Sequence, residues 1–387
     1  MSDTAPAVPE EMGKTTVRSR RGRRILTLVL VILAILLAFA TFLLFRLLVP
    51  PGAPSGDEET AGVTWVRSIY GMDSSLENQF VGLQAAVPGP DGTIWITDGQ
   101  KNSLMAFTPD GTFTGQVFGP EDVPLTVPSR FAVGPNGLFY VCETPLDVVR
   151  VLDADGNDVG SFGVPSPVSV AVSDDRIVVG AVSGFAILDL EGNPIRVIGA
   201  RGQADDQFDY VHGVAIAENG NIYVVDSFNN RISAYTPEGE RLWIVRTGAP
   251  TNQAEMVGGS LQVTATADAA LGEGEALQLP LGLTIDGAGR LVVVDMFECT
   301  LAVFDPEDGS LIGRYGDVGA NDGQFFYPVS VGYDAGRDWF TVADNLNDRA
   351  QIVRLPGSSA GISGLYRIDA IAGLKAVKTE ANSAKAF

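Results

Sequence analysis

A turn–strand–turn–strand–turn unit recurs along this chain and limits its fold more than any other feature. The clearest copy, Glu218–Gly239, reads ENGNIYVVDSFNNRISAYTPEG. Asn-Gly and Glu-Gly turns bound its two short apolar strands, and Gly and Asn tolerate the positive φ that tight turns require. Similar copies occupy Thr93–Gly111, Arg290–Gly309 and Asp338–Leu355. A repeat of about forty residues predicts small β-sheets that bury their apolar faces against one another.

Six copies of a longer unit can be aligned in the chain. Each begins with an inner strand such as VHGVAI and continues with the two strands described above, and most end with a fourth strand that closes on glycine. Six four-stranded meanders predict an all-β fold, a six-bladed β-propeller around a central channel. The six copies are Asn78–Gly119, Val127–Gly163, Val164–Gly202, Ala204–Gly248, Leu277–Gly319 and Ala320–Pro356.

The sixth copy lacks a fourth strand of its own. Trp65–Gly71, WVRSIYG, matches the closing strands of the other copies and precedes the first copy. Leu365–Ala370, in the C-terminal segment, is a rival for the same place. We favour Trp65–Gly71 because its Trp and Gly fit the pattern, and this pairing would close the ring without a free sheet edge.

The repeats resemble the NHL repeat. The resemblance covers residues 63–356, with strong matches in copies one, four, five and six, and it implies an NHL-type six-bladed propeller, a fold commonly used as a binding platform. Fold alone does not determine function. The residues that carry the resemblance are the run VDSFNNRISAYTPEG at 225–239, the pairs Gly213-Val214 and Asn219-Gly220, and the Gln-Phe pairs Gln79-Phe80, Gln207-Phe208 and Gln324-Phe325.

An uncharged apolar run precedes the propeller. Ile25–Phe45 would span roughly 31 Å as a helix, about one bilayer core. It follows a cluster of five arginines between Arg18 and Arg24, and the positive-inside rule therefore places the N-terminus in the cytoplasm and the propeller outside the cell membrane. A cleaved signal peptide is the alternative, but its apolar region would be shorter.

These features divide the chain into five parts. The prediction is a single transmembrane helix before the propeller, with a loose tail after it. The parts are a basic cytoplasmic segment at 1–24, a transmembrane signal anchor at 25–49, a Pro/Gly/acid linker at 50–62, the propeller at 63–356 with an insertion at 249–276, and a C-terminal tail at 357–387.

Composition narrows the chemistry. The formal net charge of −21 argues against a nucleic-acid partner, because phosphate binding needs a basic surface. Two cysteines are too few for a disulfide framework. The single histidine, His212, cannot build a multi-histidine zinc site, and the residues therefore favour a binding module without a resident cofactor over an enzyme.

Five carboxylates occupy the same repeat position, at the end of the second strand. We favour a structural role in which each accepts backbone N–H bonds in the turn, as Asp commonly does. The alternative is an acidic rim around one channel mouth that holds a hard cation such as Ca²⁺ on oxygen ligands. The five are Asp98, Glu143, Asp226, Asp295 and Asp344, and the third copy has Ala181 there.

The insertion Ala249–Ala276 is the longest connection between copies, and long loops of this kind are usually functional or disordered. In an antiparallel meander it lies on the same face as the carboxylate positions, whereas Trp65–Gly71 enters from the opposite face. We therefore predict a membrane-anchored, extracytoplasmic interaction or scaffold module that binds a protein partner on the face distal to the membrane. The alternative is a Ca²⁺-assisted hydrolase or lyase acting on a small molecule or glycan in the channel.

Overall fold

The computed structural model describes Leu30, residues 59–246 and 277–359, and two further strands, 252–257 and 260–265. The rest of the predicted signal anchor at 25–49 and the rival strand at 365–370 lie outside the described residues. Within the described part of the chain, no helix is long and apolar enough to cross a membrane.

The described residues form an all-β, six-bladed propeller, as the repeats predict. Each blade is an antiparallel meander whose first strand lines the channel and whose last strand lies outermost. The chain begins with β1 (Glu59–Thr60), β2 (Val63–Ile69) and the 3₁₀ turn η1 (Leu76–Asn78). Blade 1 then contains β3 (Leu83–Pro88), β4 (Ile94–Asp98), β5 (Leu104–Phe107) and β6 (Phe113–Val117).

Blades 2 to 4 repeat this order. Blade 2 contains β7 (Phe131–Val133), β8 (Phe139–Glu143), η2 (Thr144–Leu146), β9 (Val148–Leu152) and β10 (Asp158–Gly163). Blade 3 contains β11 (Pro167–Val172), β12 (Ile177–Ala181), β13 (Gly184–Leu188) and β14 (Pro194–Ile198). Blade 4 contains β15 (Val211–Ile216), β16 (Ile222–Asp226), η3 (Ser227–Asn229), β17 (Arg231–Tyr235) and β18 (Arg241–Arg246).

The insertion and the last two blades complete the order. The insertion contains a separate hairpin, β19 (Asn252–Val257) and β20 (Ser260–Ala265). Blade 5 contains β21 (Pro280–Ile285), β22 (Leu291–Asp295), β23 (Thr300–Phe304) and β24 (Leu311–Tyr315). Blade 6 contains β25 (Pro328–Asp334), β26 (Trp339–Asp344), η4 (Asn345–Asn347) and β27 (Arg349–Arg354).

The N-terminal strand closes the ring. β2 pairs antiparallel with β27, from Thr64 opposite Arg354 to Ile69 opposite Ala350. This pairing confirms the prediction that Trp65–Gly71 supplies the fourth strand of the last blade. Because the two ends of the propeller share one sheet, the ring has no unpaired edge between its first and last blades.

The hydrophobic core lies between the blades. Each pair of neighbouring blades encloses its own cluster of buried apolar side chains, so that the clusters follow one another around the ring. The phenylalanines of the Gln-Phe pairs, Phe80, Phe208 and Phe325, are at most 1% exposed and fill three of these interfaces. Phe208, for example, meets Phe185 of the preceding blade edge-on at 5.8 Å. A blade this small is stable only against its neighbours.

The meander gives the propeller two distinct faces. The upper face carries the turns between the second and third strands of each blade and the connections between blades. The lower face carries the turns between the first and second strands and between the third and fourth. The insertion joins β18 to β21 and therefore belongs to the upper face.

Candidate functional site

The five predicted carboxylates all lie on the upper-face ends of their second strands, and all are fully buried. Each accepts a backbone N–H from the connection that leads into its own blade. Such bonds fix the incoming connection before the inner strand begins. The pairs are Asp98 with Val81 at 2.6 Å, Glu143 with Thr126 at 2.5 Å, Asp226 with Asp209 at 2.8 Å, Asp295 with Gln278 at 3.1 Å, and Asp344 with Phe326 at 2.6 Å.

Four of these carboxylates also face an arginine. Burial raises the pKa of Asp226 and of Asp344, while hydrogen bonds and the facing arginine oppose that shift. The ion pairs are Glu143–Arg150 at 2.7 Å, Asp226–Arg231 at 2.8 Å, Asp295–Arg314 at 3.0 Å and Asp344–Arg349 at 2.9 Å.

The carboxylates form their bonds within their own blades and incoming connections. Asp226 accepts bonds from Asn229 at 2.8 Å and from Arg231 within its own blade, besides the N–H of Asp209. Among the described residues, no group of three or more His, Cys, Asp or Glu side chains is placed to hold a metal ion. The Ca²⁺ rim therefore stays a prediction, whereas the bonds to backbone N–H groups are those expected of a structural role.

Blade 3, which has Ala181 at this position, uses a different residue for the same purpose. Ser166 precedes its inner strand, and its N–H donates to Asp147 Oδ1 of blade 2 at 2.7 Å. The connection into blade 3 is thus held by the neighbouring blade instead of by its own second strand.

The upper face carries most of the exposed large hydrophobic side chains of the described residues. On the lower-face turns, Leu190 is the exposed large hydrophobic residue among those described, and the remaining ones of the propeller lie on outermost strands. Contiguous apolar surface on one face of a soluble domain usually marks an interaction site. The upper-face side chains are Leu76, Val81, Phe118, Val123, Val127, Leu146, Phe228, Phe297, Val318, Phe326 and Leu346.

Two aromatic clusters stand out on this face. In the blade 4 cluster, Tyr210 lies 4.8 Å from Phe228 and stacks on His212 at 5.4 Å, as measured between ring centroids. The blade 5–6 cluster joins Phe297, Phe326 and Tyr327, with Tyr327 5.8 Å from Phe297 and 5.1 Å from Phe326.

The tyrosines of both clusters have an uncommon backbone conformation. Tyr210 has φ +65° and Tyr327 has φ +54°. The residue at this place also has a positive φ in blades 1 and 3, at Gly82 and Ser166, so the conformation belongs to the repeat. Both tyrosines directly precede an inner strand, so they lie where the connection turns down into the channel.

The sequence carries a pattern that indicates the exposed apolar residues of blades 4 to 6. Phe228, Phe297 and Leu346 each lie two residues after the carboxylate of their blade, in three consecutive blades. Their side chains are exposed by 49%, 55% and 48%. Turn positions that face water are usually polar. Apolar residues at the same turn position in successive blades therefore predict a shared surface.

Exposed acidic residues surround the apolar side chains of the upper face. Among the described residues, they outnumber the lysines and arginines of the same turns and connections, which include Lys101 and Arg201. The face therefore combines apolar anchors with a negative potential. The acidic residues are Asp73, Glu77, Glu121, Asp122, Asp147, Asp205, Asp206, Glu298 and Asp317.

His212 lies near the start of its inner strand and lines a cavity of the channel together with Arg130. His212 Nδ1 lies 2.9 Å from the Ser227 hydroxyl. Burial, with the positive charge of Arg130 adding to it, lowers the pKa of His212 to about 3, so this imidazole is neutral at physiological pH.

Comparison with protein families supports the repeat. A model of the NHL repeat matches residues 208–235, and no curated protein matches the chain. Among solved structures, hydrazine synthase from Kuenenia stuttgartiensis is 16% identical, with 72% of this chain and 96% of that chain covered and a TM-score of 0.49. Virginiamycin B lyase from Staphylococcus aureus is 15% identical, with 78% and 93% covered and a TM-score of 0.48. Similarities this low carry nothing about activity, and the chain is accordingly described as a six-bladed β-propeller that contains an NHL repeat.

Proposed function

We propose that this protein is a membrane-anchored, extracytoplasmic interaction module whose upper face binds a protein partner. The observation that carries the proposal is the concentration of exposed large hydrophobic side chains on that face. Aromatic side chains supply much of the binding energy at protein interfaces, and two aromatic clusters lie within this surface.

The negative charge of the upper face indicates which residues a partner would carry. The apolar anchors lie among exposed carboxylates, such as Asp205, Asp206 and Glu298. A complementary partner carries apolar side chains beside lysines or arginines, and its association is faster at low ionic strength. The insertion at 249–276 belongs to the same face and would extend the contact surface.

The enzyme alternative, a Ca²⁺-assisted hydrolase or lyase, is not proposed. Four of the five candidate ligands are already bonded to an arginine and all five to backbone N–H groups. None of the geometry favours a metal-assisted reaction over a structural use of these carboxylates.

Crosslinking in intact membranes followed by purification of the full-length protein tests the proposal. We expect Phe228→Ser combined with Phe297→Ser to lose a partner that the wild type retains, because the change removes the exposed ring of each aromatic cluster. Leu190→Ser, which removes an exposed apolar side chain from the lower face, is the matched control and should retain the partner. The proposal fails if the double variant recovers the same partner at the wild-type yield.

The anchor is tested separately. Alkaline carbonate releases proteins held at membranes by polar contacts and leaves those held by a spanning helix. The full-length chain should stay with the membrane pellet, and a chain without residues 25–49 should move to the soluble fraction. A full-length chain that is released by carbonate would contradict the anchor.

A further inference from the structure

A cation without a carboxylate partner lies in the channel. Arg130 directly precedes the inner strand of blade 2, and its Nη2 donates to the Val329 carbonyl oxygen of blade 6 at 2.7 Å. The side chain therefore reaches across the channel from one blade to another. No carboxylate among the described residues lies within ion-pair distance of it.

Arg130 is half-buried, and the fully buried arginines of the described residues differ from it in having carboxylate partners. Arg150, Arg231 and Arg349 are each paired with a carboxylate, at 2.7, 2.8 and 2.9 Å. Burying a charge is costly unless it is paired. Burial lowers the pKa of Arg130 to about 10, which still leaves the guanidinium charged at physiological pH. Its positive charge therefore lies in the channel of a protein whose formal net charge is −21.

Two adjoining cavities lie beside Arg130, and polar side chains line only the smaller one to any extent. A small cavity of about 60 Å³ is lined by Arg130, His212, Ser169 and Ser330 together with apolar side chains. Both serine hydroxyls bond to the backbone, since Ser169 donates to the Val211 carbonyl at 2.7 Å and Ser330 accepts from the Ala86 N–H at 3.1 Å. Arg130 is the charged group that remains for a ligand there.

A larger cavity of about 300 Å³ continues toward the lower face. It shares Val87, Phe131, Val170, Val214, Leu283 and Val331 with the small cavity, so the two adjoin along the channel. The side chains that line it are apolar apart from Thr284 and Tyr333, and the Tyr333 hydroxyl is bonded to Asp338 at 2.8 Å. Volumes of roughly 300–1,000 Å³ are usual for small-molecule sites.

We propose that the channel binds a small amphiphilic carboxylate, with its head group on Arg130 and its hydrocarbon body against the apolar side chains of the larger cavity below. A guanidinium matches the planar geometry of a carboxylate and can bind both of its oxygens. A single cation suits a monoanion, whereas a phosphate dianion would need a second positive group. The hydrocarbon body gains by leaving water for contact with the apolar side chains of the larger cavity.

Titration calorimetry of the full-length protein in a non-ionic detergent, with octanoate as the probe, tests this site. We expect saturable binding to the wild type with one octanoate per chain. Octanamide has the same body without the charge and should bind about tenfold more weakly or worse, since a hydrogen bond to a charged group contributes more than a neutral one.

Variants separate the head group from the body. Arg130→Gln should weaken octanoate binding about tenfold or more and leave octanamide binding unchanged. Arg201→Gln, which removes an exposed arginine from the upper face, is the matched control and should bind octanoate as the wild type does. Val87→Phe narrows the apolar cavity and should weaken octanoate binding while Arg130 is intact.

Two results would overturn the proposal. One is the absence of saturable octanoate binding to the wild type, and the other is octanoate binding by a folded Arg130→Gln variant at wild-type affinity. If Arg130→Gln does not fold, the comparison of octanoate with octanamide on the wild type decides, and equal affinities would reject a role for the charge. None of these outcomes depends on partner binding at the upper face.

Discussion

The buried pair of Asp226 and Arg231 offers the sharpest test of how the blades are held. Asp226 accepts bonds from the Asp209 N–H at 2.8 Å, from Asn229 at 2.8 Å and from Arg231 Nε at 2.9 Å. Both side chains of the pair are 1% exposed. Asp226→Ala would leave Arg231 charged and buried, with only the carbonyls of Ala204 and Gln207 as acceptors.

Removing one partner of a buried pair costs about 3–5 kcal/mol, because the remaining charge has no counter-charge. We expect Asp226→Ala to lower the free energy of unfolding by that amount, measured by urea denaturation of the full-length protein with circular dichroism as the readout. The midpoint should fall without a change in the slope m, since the surface exposed on unfolding is nearly the same.

An exposed ion pair supplies the control. Arg196 and Glu240 lie 2.6 Å apart, with side chains 41% and 71% exposed. Glu240→Ala should cost about 0–1 kcal/mol, as is usual for surface pairs. Adding Arg231→Met to Asp226→Ala should recover part of the loss, because the orphaned charge is removed. A cost below about 1 kcal/mol for Asp226→Ala would refute the claim that this pair holds the connection into blade 4.

Three further predictions follow from the fold. Burial lowers the pKa of His212 to about 3 in the folded state, from an ordinary histidine value of 6.5, so between those values the unfolded state binds more protons and stability falls as the pH falls. Between pH 7 and pH 5, the free energy of unfolding of His212→Gln should therefore fall by about 2 kcal/mol less than that of the wild type. The same pH dependence in both proteins would contradict this. Phe325→Ala should cost about 3–5 kcal/mol by urea denaturation, whereas its exposed neighbour Phe326→Ala should cost under about 0.5 kcal/mol, and similar costs would show that Phe325 does not fill the interface. Replacing Ala249–Ala276 by a short Gly-Ser linker should abolish partner crosslinking and leave the unfolding midpoint unchanged, whereas unfolding of this variant would count against an interaction role for the insertion.

Much of the fold could be predicted from local sequence. Turn residues such as Asn219-Gly220 and the alternation of short apolar strands specify each hairpin within a few residues, and the repeat then specifies six of them. The strand Trp65–Gly71 could be assigned to the last blade because every other blade showed what its fourth strand looks like. The period determines the architecture because a small meander is stable only against copies of itself.

The candidate sites were predictable only in part. The position of Asp226 and its counterparts followed from the repeat, but their burial and their N–H donors depend on how each connection returns to its blade. Asp226 and Asp209 are 17 residues apart in sequence and meet only in the folded blade. Spacing along the chain cannot show whether such oxygens face a ligand or a backbone.

The sequence by itself determined the repeating unit, the number of blades, the closing strand and the acidic balance of the chain, because these depend on local propensity and composition. Tertiary structure alone decided which turns gather into the aromatic upper face, and it alone placed Arg130 in the channel. Those features combine side chains from different blades, and only the closed ring brings them together. Nothing in the sequence distinguishes Arg130 from the other arginines. In the fold, its side chain reaches from blade 2 to the Val329 carbonyl of blade 6.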